Sequence, residues 1–194
     1  EHPSVFFFFA DDEFLLFMDQ KNDLEIIVRE LSTDTNFNAT EIKSEKELRD
    51  FAATALFPSH GLILRKHKDD YFNLKKGIMN WPILFDSYHQ LNTNGIAFVE
   101  TDMRALYNPT RMKVIEKATL KLAEKINSHC PECSCPGFGI TDSKPGLPCE
   151  WCGFPTSSTL SYSYTCQKCN FIKEEKFPNK KIKENPMHCD RCNP

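Results

Sequence analysis

The sequence predicts an α/β domain, a mixed sheet with flanking helices, followed by a small zinc-ribbon-like β module. Three observations carry this expectation. Apolar runs of strand length alternate with capped, amphipathic helical stretches through the first two thirds of the chain. All nine cysteines lie between Cys130 and Cys192, and eight of them form four C-x-x-C pairs. From His129 onward, prolines, cysteines and short polar segments replace the helical periods. The boundary is expected after Ser128, giving residues 1–128 and 129–194.

The elements follow in order. "FLLFMD" (residues 14–19) and "LEIIVRE" (24–30) meet across the polar "QKND" and read as a hairpin. "SEKELRDFAATALF" opens with Ser44 and has Glu47 three residues on, a reciprocal capping pair. Its apolar face is Leu48, Phe51, Ala52, Ala55 and Leu56, and Pro58 stops it. "GLILR" (61–65) reads as a buried strand, "WPILFDSYHQL" as a helix with Pro82 in its first turn, closed near "NTNG", and "IAFVET" (96–101) as a further strand. Asn108 caps and Pro109 opens a long helix whose face is Met112, Ile115, Thr119, Leu122 and Ile126. This alternation implies some parallel pairing in the sheet.

The 194 residues, 40% hydrophobic and 26% charged, are ordinary globular material, and a net charge of −3 points to neither nucleic acid nor an anionic membrane. The longest apolar run, "VFFFFA" (residues 5–10), is far short of the roughly 20 residues of a spanning helix. No basic segment precedes it, so a cytoplasmic protein without a membrane span is expected. The chain begins at Glu1 rather than methionine. A fragment or processed chain, with an N-terminally incomplete α/β domain, is therefore expected.

In a chain without an export signal, clustered C-x-x-C pairs are metal spacing rather than a disulfide framework. Residues 129–194 cannot bury much apolar surface and need a staple. Two structural zinc ions would supply it, each held by four thiolates drawn from Cys130, Cys133, Cys149, Cys152, Cys166, Cys169, Cys189 and Cys192. Taken sequentially, the pairs enclose 15 and 19 residues, whereas "CEWCGFPTSSTLSYSYTCQKC" encloses 13 and would give a nested arrangement. Loop-closure entropy favours the sequential order, then the nested one, and the crossed one last. Cys135 is one residue too close to Cys133 to chelate with it and reads as a small buried thiol. His129 and His188 each precede a ligand cysteine but are not needed.

Charge also bears on partners. Residues 129–194 carry eight Lys+Arg and seven Asp+Glu, a balance of +1. Two four-thiolate zinc sites would bring that to about −3. Lys173, Lys176, Lys180, Lys181 and Lys183 partly compensate, and Tyr162, Tyr164 and Phe171 could stack bases, but a solvated hairpin with core aromatics is the favoured reading.

Neither G-x-G-x-x-G, nor G-x-x-x-x-G-K-[ST], nor G-x-S-x-G occurs. What remains is "VETDMRALYNPTR" (99–111), at a strand end that runs into a helix, where open α/β sheets place their ligands. Glu100 and Asp102 alternate along the strand and could hold magnesium between them. Arg104, Arg111 and the free N–H groups at the start of the following helix suit a small anionic ligand. The competing reading is that Asp102 pairs with Arg104 or Arg111 while Asn108 caps, fixing the strand-to-helix angle. In "RELSTDTNF" (29–37), Asp34 and Asn36 either make turns or complete a polar pocket with Glu100. His60 in "PSHG" reads as a loop histidine.

"RELSTDTNF", "HGLILR", "ETDMRALYNPTRM", "PGLPCEWCGFPT" and "HCDRCNP", in that order, resemble an uncharacterised bacterial family catalogued as domain of unknown function 6671. The resemblance runs along nearly all of the chain and implies the C-terminal cysteine module and a chain extending further upstream. It brings no reaction or substrate. "GIAFVETDMRALYNPTRMKVIEKA" is also faintly similar to the late strand and helix of inosine-triphosphatase-like pyrophosphatases, which are magnesium-dependent α/β enzymes without a zinc module.

Two functions are compatible with these features. One is a magnesium-dependent phosphate-ester or pyrophosphate hydrolase acting on a nucleotide-like ligand, with Glu100 and Asp102 on the metal, Arg104 and Arg111 clamping the anion, and Asp34 nearby. The other is a non-enzymatic adaptor whose zinc ribbons bind RNA, DNA or a protein partner.

Overall fold

The computed structural model describes residues 9–92 and 94–194, so of the apolar run at residues 5–10 only Phe9 and Ala10 are within the described chain. By packing, the chain divides into one unit of Glu1–Leu15 with Arg29–Thr119 and another of Leu16–Val28 with Leu120–Pro194. The composition boundary after Ser128 marks where the cysteine-rich sequence starts, whereas the division by packing falls within a hairpin and a long helix. Among the described residues no helix is long and apolar enough to cross a membrane.

The hairpin is β1 (Asp11–Asp19) and β2 (Leu24–Ser32), a two-stranded sheet of its own. The first unit is then built by β3 (Ala39–Ile42), α1 (Glu45–Thr54), β4 (Leu62–Arg65), β5 (Leu74–Ile78), α2 (Trp81–Leu91) and β6 (Ala97–Thr101). Its strands form one sheet in the order β3-β6-β4-β5, and every neighbouring pair is antiparallel. The expected parallel pairing is thus corrected. The strands flanking α1 do run parallel to each other, as do those flanking α2, but β6 lies between the first pair and β4 between the second. Strand–helix–strand connections fix relative direction, and an interposed strand converts each parallel relation into two antiparallel ones.

Local signals account for the elements. Ser44 accepts the Glu47 N–H at 3.2 Å while the Glu47 carboxylate accepts the Lys43 N–H at 2.7 Å, the reciprocal cap that starts α1. Asn80 caps α2 through the Ile83 N–H, with Pro82 in the first turn. Leu56, expected on the α1 face, lies beyond the helix end with φ +63° and is exposed. The strands β3 and β5, absent from the sequence reading, are short edge strands with mostly exposed side chains, so they carry little apolar signal.

The core of this unit lies between one sheet face and the two helices. Leu48, Phe51 and Ala52 of α1 and Leu84, Tyr88 and Leu91 of α2 are buried with Ile42, Leu62, Leu64, Ile78, Ala97 and Val99 of the strands. Leu62 and Leu64 point to this face, and the intervening Ile63 is buried on the other.

Helix α3 (Pro109–Asn127) contributes to both units. In its first half the buried positions are Val114 and Ala118, not the expected Met112, which is 45% exposed. In its second half Leu122 and Ile126 do pack, against Leu24, Ile26, Cys130, Cys135, Phe138 and Cys166 of the second unit. That unit also contains β7 (Gly139–Pro145), β8 (Thr159–Thr165) and β9 (Ile172–Lys176), an antiparallel sheet in the order β7-β8-β9. Lys125 and Gln167 donate to the Ile27 and Glu25 carbonyls at 3.0 and 2.9 Å, holding the hairpin tip within it.

Leu64 is fully buried at the centre of the first core. Leu64→Ala should lower the unfolding free energy by about 2–5 kcal/mol, read from the denaturant midpoint. An unmoved midpoint would contradict this core.

Candidate metal centres

Each C-x-x-C pair sits on a tight turn of repeating design. The first cysteine's carbonyl accepts the N–H four residues on: Ser134 to Cys130 at 2.9 Å, Gly153 to Cys149 at 3.0 Å, Asn170 to Cys166 at 3.1 Å and Asn193 to Cys189 at 2.8 Å. In the first three, the first cysteine's N–H also reaches the carbonyl five residues on, at 2.9 Å each time. Those three turns share a left-handed fourth residue, Ser134 (φ +55°), Gly153 (+70°) and Asn170 (+58°). Glycine and asparagine adopt that region readily, so part of the turn's chemistry is written just after the cysteines.

The eight sulfurs form two sets, Cys130, Cys133, Cys166 and Cys169, and Cys149, Cys152, Cys189 and Cys192, with all ligand atoms of a set within 4.8 Å of one another. This is the crossed arrangement, ranked last from loop length. The sheet explains the correction. The first turn precedes β7, the second follows it, the third follows β8 and the fourth follows β9. Antiparallel pairing sets Gly139 opposite Thr165 and Pro145 opposite Thr159, while Thr165 pairs with Ile172. The first and third turns therefore meet at one end of the sheet. At the other end, Cys149 is bridged to Glu184, whose N–H donates to the Pro148 carbonyl at 2.8 Å, and this leads the fourth turn to the second. Doubling a loop costs only about 0.6 kcal/mol, too little to overturn a paired sheet.

The geometry fits a tetrahedral ion. A metal with bonds of about 2.3 Å to four sulfurs has S···S edges of about 3.8 Å. The sulfurs of Cys130 and Cys169 are 3.7 Å apart, Cys133 and Cys166 3.5 Å, Cys149 and Cys192 3.9 Å, and Cys152 and Cys189 3.6 Å. The two sets could thus hold two metal ions. The first cysteine of each turn is buried, at 2%, 1%, 2% and 0% exposure for Cys130, Cys149, Cys166 and Cys189.

Electrostatics agree. The Cys169 and Lys168 N–H groups hold the Cys166 thiol down at about 6, and those of Cys152 and Trp151 hold Cys149 at about 7, against desolvation that would raise both. Cys192, crowded by the sulfur of Cys152 and then by desolvation and the sulfurs of Cys149 and Cys189, is pushed up to about 12. Without a metal, four such thiols cannot all ionise together, whereas a dication would allow it. Cys135 belongs to neither set. It is buried in the core, and desolvation, then Cys166 and Cys133, push its thiol up. His129 and His188 are exposed and also lie outside both sets.

In the other unit, the charges of "VETDMRALYNPTR" all have protein partners. Glu100 Oε1 accepts from Arg65 Nε at 3.1 Å and from Arg65 Nη2, and the guanidinium lies 4.9 Å from the Tyr71 ring centre. Asp102 is fully buried: Oδ1 accepts from the Arg104 N–H (3.1 Å) and Nε (2.9 Å), Oδ2 from Arg104 Nη2 (2.6 Å) and the Gly77 N–H (3.0 Å). Desolvation would raise its carboxyl, but these contacts prevail and hold it below the ordinary value. Gly77 has φ +66°, and a Cβ there would come within 2.8 Å of the Tyr107 ring, so only glycine brings that N–H so close. Arg111 spans Glu13 (Nε to Oε1, 2.6 Å; Nη2 to Oε2, 3.3 Å) and the Met103 carbonyl (2.6 Å).

The helix N–H groups expected to be free are taken. Thr110 N–H donates to His60 Nε2 at 3.2 Å, Arg111 N–H to Asn108 Oδ1 at 3.1 Å and Met112 N–H to the Asn108 carbonyl at 3.0 Å. His60 is buried, and desolvation lowers its pKa, keeping the ring neutral. With Nε2 accepting, the proton is on Nδ1, facing Ser59 Oγ at 3.0 Å. His60, a loop histidine as expected, also caps α3.

Asp34 does line a pocket, of about 410 Å³, but with Thr110, Lys113 and Lys117 rather than Glu100. Asn36 is tied down, its Oδ1 accepting from Asn108 Nδ2 at 2.8 Å. The sequence reading missed Arg65, Glu13, His60 and Gly77 as partners. Only the strand "LILR" ending in arginine hinted at the first.

A model of the family described as a domain of unknown function (DUF6671) matches residues 1–194. No curated protein and no solved structure matches the chain.

Two outcomes test this geometry. Metal affinity of the stripped protein, followed by cobalt–thiolate absorption, should fall as pH is lowered through about 7 and about 6, because protons then compete for Cys149 and Cys166. An affinity independent of pH would contradict those thiolates as ligands. Asp102→Ala should destabilise the fold by roughly 1–3 kcal/mol in denaturant unfolding, since it strands the Gly77 N–H and the Arg104 backbone; a neutral outcome would remove Asp102 from its organising role.

Proposed function

The chain belongs to the DUF6671 family, and from its own residues we propose that it is a zinc protein working as a binding module, not as a magnesium-dependent hydrolase. Zinc is favoured at both cysteine sets because an all-sulfur tetrahedron suits a soft, geometry-indifferent ion, and four thiolates leave no open position for a substrate. Its role there is to hold the turns together. Eight thiolates kept reduced suit the cytosol.

The observation that carries binding over catalysis is the engagement of every charge at the strand end. Glu100 is spent on Arg65, Asp102 on Arg104 and Gly77, and Arg111 on Glu13. A magnesium ion demands near-ideal octahedral oxygen geometry and would have to displace two guanidiniums to reach both carboxylates.

Of the two adaptor partners, protein is favoured over nucleic acid. Tyr164 and Phe171 pack on Phe138 with ring centres 5.8 and 5.9 Å away, and the Tyr164 hydroxyl donates to Glu175 at 2.6 Å. Both rings are half-buried with Phe138 against them, which leaves them less open than the stacking rings of nucleic-acid platforms. Trp151 and Met187, in and beside the turns of the second cysteine set, are 79% and 71% exposed and suit an apolar protein contact.

Elemental analysis should find two zinc ions per chain, and magnesium or manganese should elicit no phosphate-ester or pyrophosphate hydrolysis. Iron in place of zinc would overturn the metal assignment. Metal-dependent turnover lost in Glu100→Gln would overturn the choice of binding over catalysis, and tight RNA binding with a steep salt dependence would overturn the choice of protein.

A further inference from the structure

The start of β1 builds a second pocket in the first unit, of about 450 Å³, whose wall includes Phe9, Asp11, Glu13, Phe37, Met103 and Arg111. Three consecutive acids, Asp11, Asp12 and Glu13, stand here, and two are neutralised. Asp12 receives both Nε and Nη2 of Arg29 at 2.8 Å, and Glu13 receives Arg111. Among the described residues Asp11 has no such partner. It is only 8% exposed, its Oδ1 accepts a single hydroxyl, from Thr35 at 3.2 Å, and its Oδ2 is buried with no hydrogen bond to any described residue. Buried carboxylates are as a rule paired or fully hydrogen-bonded, because the unpaired charge is costly. The odd charge of this wall is thus Asp11's.

The rest of the pocket defines what could complete it. Phe9 and Phe37 pair with ring centres 4.7 Å apart, and Met103 adds a polarisable apolar surface. Aromatic rings and a thioether beside an unpaired carboxylate suit a cation with an apolar body. A divalent metal is a poor match: it wants six or more oxygens, and those of Asp12 and Glu13 are committed to guanidiniums. The volume falls in the range of small-molecule sites. We propose that this pocket binds a small protonated amine with an apolar body, its ammonium donating to Asp11. Desolvation, opposed by the Thr35 hydroxyl and by Arg111, pushes the Asp11 carboxyl above its ordinary value, the mark of a carboxylate short of counter-charge. The site is independent of the zinc ions.

The test uses the whole, metal-loaded chain with 13C-methyl-labelled methionine, the Met103 signal assigned through Met103→Leu. Benzylammonium, n-butylammonium, benzyl alcohol and benzoate are titrated in turn. At least one ammonium should shift the Met103 methyl saturably. Benzyl alcohol should bind about tenfold or more weakly than benzylammonium, having lost a charge-assisted hydrogen bond, and benzoate should not bind. Asp11→Asn should lose the saturable shift. The site is overturned if neither ammonium saturates, if the alcohol or benzoate matches benzylammonium, or if Asp11→Asn binds unchanged. The comparison of probes on the unaltered chain decides the matter even where the variant fails to fold.

Discussion

An antiparallel strand returns the chain to the end of the sheet it came from, and in the cysteine-rich unit that reversal decides which cysteines meet. A C-x-x-C turn stands before β7, after it, after β8 and after β9, so alternate turns share an end of the sheet. The two sets of four thiols follow from this alternation. Each ion would tie together turns more than thirty residues apart in the chain, so neither end of the sheet could fray without losing a metal ligand. The hairpin tip supplies Leu24 and Ile26 and α3 supplies Leu122 and Ile126, an apolar cushion against which the buried Cys130 and Cys166 lie. With so little apolar core, this unit would draw much of its stability from ions held by the two sets, since metal binding and folding would then be one equilibrium.

The other unit is organised by buried polarity. Asp102 sits fully buried where β6 ends and gathers Gly77 of β5 and the backbone and side chain of Arg104, while its own N–H reaches the Gly61 carbonyl at 2.8 Å. Tyr107 covers both glycines and takes the Arg104 guanidinium at 4.5 Å from its ring centre. Asn108 and His60 then cap α3. A motif that looks catalytic in one dimension is in three dimensions a junction, fixing how the last strand of the sheet turns into the longest helix. Among the described residues, Asp11 is left with one buried carboxyl oxygen unmatched.

How much was legible depends on whether the relevant force acts locally. Caps and stops did show: Ser44 with Glu47, Pro82 in the first turn of α2, and Asn108 before Pro109 are short-range chemistry and can be read from spacing, although the Asn80 cap of α2 was missed. The eight metal-type cysteines showed for the same reason. Sheet order did not, because nothing in a strand–helix–strand pattern says that β6 will insert between β3 and β4. The crossed cysteine sets were misjudged by weighing loop entropy, a term of roughly 0.6 kcal/mol per loop, against strand pairing that was left out. A strand lies between each successive pair of turns, but only β8 ("TLSYSYT") is written in β-rich sequence, whereas β7 ("GITDSKP") and β9 ("IKEEK") carry little strand signal. The partners of Glu100 and Arg111, Arg65 and Glu13, lie 35 and 98 residues away and carry no sequence mark of their role.

The crossing is most directly tested by counting metal in paired variants. Cys130→Ser with Cys166→Ser places both lesions in one set, so the purified protein should lose one metal ion and keep the other with undiminished affinity. Cys130→Ser with Cys149→Ser damages both sets and should weaken both ions. The reverse pattern, with the first variant impaired at both sites and the second retaining one intact ion, would mean that the cysteines pair in sequential order and that the three-stranded sheet does not govern them.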